Sequence, residues 1–120
     1  MNQQATADAR SLLKNVIWES LHAIHEYTCD LTEEAFAQSR LVRDAIIRHL
    51  DLISRTAHKI PPDFRDRHAD VAWERLDTLK HDLVISEASG LGHPPQAWRV
   101  IRQDLPAIQE QVRRAIEEDR

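Results

Sequence analysis

The chain has only two glycines, Gly90 and Gly92, and they sit two positions apart. Glycine is the residue that tight hairpins, bulges and positive-φ turns draw on most, so a fold built from many sharp reversals has little material here. No stretch shows β-branched residues in period-two alternation, whereas apolar residues recur at three- and four-residue steps. The reading is therefore all-α: an antiparallel up-and-down bundle of four to five helices, forming one domain over residues 1–120. A chain of 120 residues can bury one modest core of this kind without metal or disulfide support.

The first predicted helix runs from about Ala7 to Thr28. Its stripe is Leu12, Leu13, Val16, Ile17, Leu21, Ile24 and Tyr27, flanked by Trp18 and His25. Thr32 is a candidate N-cap for a short helix carrying Phe36, because Glu33 and Glu34 follow where the helix dipole favours negative charge. A helix from about Arg40 to Lys59 is expected to set Leu41, Ala45, Ile46, Leu50, Ile53 and Ala57 on one face, with Arg43, Asp44, Arg48 and Asp51 mostly opposite. Pro61 and Pro62 end it. After a polar turn at Asp63 to His68, Val71, Trp73, Leu76, Leu79, Leu83 and Val84 mark a fourth substantial helix, and Ser86 to His93 is read as a loop. The last helix starts near Pro95 and buries Trp98, Ile101, Leu105, Ile108, Val112 and Ile116. Pro106 removes a backbone bond inside it at a cost of about 3 kcal/mol. A kink or break is expected near Leu105, with Asp104 able to cap the restarted turn.

A formal charge of −4 gives no global positive field to attract nucleic acid. The basic residues Arg40, Arg43, Arg48, Arg55 and Lys59 are the best candidate for a local RNA-facing strip, and the reading preferred is a solvated face interleaved with Asp44 and Asp51. Cys29 is the sole cysteine, which excludes an internal disulfide and suits a reducing compartment. No apolar run approaches the ~20 residues that span a bilayer, and the opening MNQQATADAR lacks a signal peptide's apolar stretch. The expectation is a cytoplasmic chain without membrane contact. Among the histidines, only His22 and His25 are spaced to share a helix face, and His93 can approach His81 across the loop. Neither pair has the further ligands a metal centre draws on, so no metal and no cofactor is expected.

Two stretches, LTEEAFAQSRLVRDAIIRHLDLISRTAHKIP at 31–61 and AWRVIRQDLPAIQEQV at 97–112, together with Trp73, carry a resemblance. They are similar to the HepT-like family of small helical proteins within the HEPN superfamily, over about Val16 to Val112. The Asp-Leu-Pro at 104–106 after a tryptophan is one of its distinctive marks. The resemblance implies a helical bundle that dimerises and, in active members, a metal-independent ribonuclease toxin. It also implies a small nucleotidyltransferase antitoxin, which silences the toxin by attaching adenylate to an active-site tyrosine.

The family motif is Arg, four to six residues, His, one residue, Tyr, at the end of the fourth helix and the loop after it. There the His moves the proton of a ribose 2′-hydroxyl or leaving oxygen, and the Arg stabilises charge growing on the phosphate. Counted without gaps from Trp73, the three positions hold Lys80, Ile85 and Glu87. A shifted register beginning at Arg75 reaches His81 but finds no tyrosine. A further departure is Ser54-Arg55-Thr56, where the family usually carries Gly-Glu-Ala. The reading adopted is a homodimeric toxin–antitoxin protein with a degenerate ribonuclease motif, acting by binding its nucleotidyltransferase partner. The alternative is an active ribonuclease with Arg75 or Lys80 as phosphate clamp and His81 as acid or base. A third possibility is a helical oligomer with a purely structural role.

Overall fold

The computed structural model describes residues 3–86, 90–91 and 94–119. Helix α1 is one continuous rod in three parts, Gln3–Leu12, a π-helical segment Leu13–Trp18, and Glu19–Thr28. It buries Ala9, Leu13, Ile17, Leu21 and Ile24. Tyr27, expected in that stripe, is 44% exposed, and Thr28 is buried in its place with its hydroxyl donating to the Ile24 carbonyl at 2.8 Å. The short helix α2, Glu33–Gln38, is capped as the sequence suggested: Thr32 Oγ1 accepts from the Ala35 N–H at 3.0 Å. Ser39 then caps α3, Arg40–Ala57, by accepting from Val42.

Helix α3 buries Ile46, Leu50, Ile53, Ser54, Thr56 and Ala57. Leu41 does not join them and is 82% exposed. Stepping 100° per residue from the centre of the buried stripe puts position 41 on the outward side. The prolines end α3 and also begin α4, Pro62–Arg67, because a first-turn proline loses no intrahelical bond. Helix α5, Trp73–Leu83, buries Trp73, Leu76, Leu79 and Leu83 at helical spacing. The helix stops at Leu83, so Val84, expected on its stripe, instead begins a short antiparallel ladder, β1 (Val84–Ser86) with β2 (Gly90–Leu91), in which Val84 is opposite Leu91.

Helix α6 begins at Pro94 and also has three parts, Pro94–Arg99, a π-helical segment Val100–Asp104, and Leu105–Glu118. The break expected at Pro106 is absent. Instead the Leu105 N–H donates to the Val100 carbonyl five residues back, and the widened turn makes room for the proline ring without ending the helix. Asp104 makes no side-chain cap.

The fold is thus all-α, with α1, α3, α5 and α6 as the long members. α3 packs extensively on both α1 and α5, α1 also lies against α6, and just before α5 the Ala72 N–H donates to Gln111 Oε1 on α6. Close approach of α3 and α5 follows from the small residues at their seam. Ser54 Oγ donates to the Leu76 carbonyl at 3.0 Å and lies 3.4 Å from the Lys80 N–H. An ion pair locks the same seam. Arg65 on α4 holds Asp77 on α5 bidentately at 2.7 and 2.8 Å, and also donates to the carbonyls of Ala57 and Ile60 at the end of α3. Among the described residues, no helix is long and apolar enough to cross a membrane.

Candidate functional site

Helix α5 carries Arg75, Lys80 and His81, and their spacing decides what they can do together. At 3.6 residues per turn, Arg75 and Lys80 lie about 140° apart around the axis, and His81 lies about 100° beyond Lys80. The structure gives each its own surroundings. Lys80 Nζ reaches across to α3 and sits 3.1 Å from Asp51 Oδ1, while the other oxygen of Asp51 takes Arg55 Nε at 2.9 Å. Arg75 leaves by the opposite flank, where its guanidinium lies 3.3 Å from Asp104 Oδ2 on α6. His81 is exposed and has no hydrogen-bond or ion-pair partner among the described residues.

Within one protomer these groups do not converge. A phosphate touching Lys80 is far around the helix from Arg75, and each cation already faces a carboxylate that offsets part of its charge. Nothing among the described residues orients the His81 ring, which a general acid or base requires in order to present a defined nitrogen. In the gapless register, position 85 falls in β1, and an aliphatic side chain can neither take nor give a proton. Glu87 and His93 lie outside the described residues.

Sequence reading placed Asp51 on a solvated face and Asp104 at a helix cap, not as partners of the α5 cations, and it did not single out the Arg65–Asp77 pair. Asp51 stands one helical turn before Arg55, so that half of its network has a local signal. Its contact with Lys80, like that of Arg75 with Asp104, joins residues 29 apart and has none. In the Arg65–Asp77 pair, the hydrogen bonds from Arg65 hold the Asp77 carboxyl below its ordinary range, against an opposing push from burial. Arg65 also lies over the Trp73 ring, 5.3 Å from its centroid.

Away from α5, His49 Nδ1 is 3.2 Å from Ser20 Oγ, joining α3 to α1, with Tyr27 beside it at 5.7 Å between rings. Burial, and secondarily the charge of Arg48, lowers the pKa of His49. On α1, Trp18, His22 and His25 form a ladder of stacked rings, and His22 Nε2 is 3.2 Å from Glu26. Among the described residues, no group of three or more His, Cys, Asp or Glu is placed to hold a metal ion.

Residues 17–115 match the family model described as Ribonuclease HepT-like, and the chain belongs to that family. It is 31% identical over 104 residues to a Methanocaldococcus jannaschii protein called "Gamma-glutamylcyclotransferase and putative RNase", covering 87% of this chain and 46% of that one. It therefore spans about half the length of that relative. A second protein of the same organism, "Putative RNase MJ1380", is 27% identical over 105 residues, 88% of this chain and 94% of its own. "Probable ribonuclease HepT" of Thermococcus cleftensis is 26% identical over 92 residues, 77% and 82% of the two chains. No solved structure matches the chain.

Proposed function

We propose that the protein is the HepT-type member of a toxin–antitoxin pair that retains the ribonuclease fold with little or no cleavage of its own. It acts as a homodimer that binds a small nucleotidyltransferase in the cytoplasm. The observation that carries this reading is the divergence of the α5 cations: Lys80 is paired to Asp51 on one flank and Arg75 to Asp104 on the other. The residues at the family's motif positions add to it, since Ile85 cannot carry a proton and a carboxylate at 87 repels phosphate. Glu87 also offers no phenol for adenylylation, so the partner would act here by occupancy rather than by modification.

One observation favours the ribonuclease reading. His81 is exposed and uncommitted next to Lys80, so a second protomer could bring Arg75 or Lys80 of one copy to His81 of the other. Incubating purified protein with labelled RNA in a chelator separates the two. The binding reading expects intact RNA. Metal-independent cleavage that disappears in His81→Ala would establish the shifted site instead.

A further inference from the structure

Leu41, Ala45, Arg48, Leu52, Arg55 and Lys59 follow one another along α3 at alternating steps of four and three residues, which aligns them as one ridge. Leu41 is 82% exposed, and Arg48, Arg55 and Lys59 are exposed as well. The charge here runs against that of the whole chain. Counting Arg40 and the neighbouring Lys80, five cations meet two carboxylates, Asp44 and Asp51, for a net of +3 on a molecule of net charge −4.

The carboxylates are already engaged. Asp44 lies 3.8 Å from Arg40, and Asp51 gives one oxygen to Lys80 and the other to Arg55. Two cations sharing one carboxylate keep an excess positive charge between them. Arg48 and Lys59 have no hydrogen-bond or ion-pair partner among the described residues. At 1.5 Å rise per residue, the line from Arg48 to Lys59 is about 16 Å long.

A file of cations, with Leu52 between Arg48 and Arg55 and Leu41 exposed at its start, fits a linear, repeating anion. A second copy of the chain on this ridge would set Arg48 and Arg55 against their own counterparts, an arrangement that like charges oppose. We infer that the outward ridge of α3, completed by Lys80, binds the phosphate backbone of single-stranded RNA. The ligand class rests on membership of a ribonuclease family, and the surface is new: it would hold a strand whether or not the α5 end cuts it. Leu41 and Leu52 would contact the sugars between phosphates, and the contacts carry no base specificity.

The test is fluorescence anisotropy of a labelled, unstructured 20-nucleotide RNA, in a chelator, across a salt series. For single strands the logarithm of affinity falls with the logarithm of salt by about 0.7 per phosphate neutralised. Arg48→Gln with Lys59→Gln should flatten the slope by about 1.4 and weaken binding at low salt by about tenfold. Lys14→Gln with Arg114→Gln removes the same charge from α1 and α6 and should leave both quantities near wild type. Melting curves for wild type and both double variants exclude unfolding as the cause. Wild-type slope and affinity in the ridge variant, or equal weakening in both double variants, overturns the assignment. A wild type that ignores RNA altogether overturns it too, and leaves the family membership and the partner-binding reading standing. Competition by a polyglutamate peptide as effective as unlabelled RNA would assign the ridge to an acidic protein instead.

Discussion

Arg65→Ala tests how this bundle is held together. The guanidinium is about one-fifth exposed and makes two charged hydrogen bonds to Asp77, two more to the carbonyls of Ala57 and Ile60, and a stacked contact on Trp73. Charged hydrogen bonds contribute about 1.5–3 kcal/mol each. They share one donor group and some water contact, so their sum is discounted to about 3 kcal/mol for the whole set, much of it the cost of stranding Asp77. For a domain of this size that corresponds to a melting temperature lower by roughly 10 °C, read by circular dichroism. Arg65→Lys should recover less than half, because an ammonium cannot reproduce the planar two-pronged contact.

The same pair fixes the acid limb. The carboxyl of Asp77 titrates below its ordinary value of 3.8 in the folded chain, so its contribution is fully present above that pH and is lost as pH falls through the folded value. The gap between wild type and Arg65→Ala should therefore narrow below about pH 4. A drop of less than about 3 °C, or full rescue by lysine, would refute the assignment of this pair as the lock of the α3–α4–α5 junction.

Two smaller effects follow from the same structure. Thr32→Ala removes the hydroxyl that accepts from Ala35 and should cost about 1 kcal/mol in urea unfolding, with Thr32→Ser close to neutral. His49 should titrate below 6.5 in proton NMR and move upward in Arg48→Gln. Because its folded pKa is lowered, His49 stabilises above pH 6.5 and loses that contribution as pH falls, so His49→Gln should flatten stability against pH on that limb.

Much of the fold is legible in the sequence where a local pattern decides it. The Thr32 cap, the paired prolines between α3 and α4, and the Trp73–Leu76–Leu79–Leu83 stripe each depend on neighbours within a turn or two. Leu41 and Tyr27 were misplaced by counting apolar residues without their angular position. Pro106 obeyed its local rule only in part. The chain kept its helix by opening a π turn just before the proline, and sequence alone does not distinguish that response from a break. At the candidate site the three cationic or imidazole groups were readable as residues, and their pairing was not. Asp51 and Asp104 reach Lys80 and Arg75 across helix seams, where only the packed structure brings them together.

The account rests on a proton carrier missing from the position that the family uses. Ile85→His with Glu87→Tyr restores the motif's imidazole and phenol behind Lys80, and the rate of metal-free RNA cleavage by this variant beside wild type is the most direct measurement. The prediction is an inert wild type and a variant that cuts RNA in the presence of a chelator. A wild type that already cuts under those conditions, with activity lost in His81→Ala and unchanged in the restored variant, would contradict it.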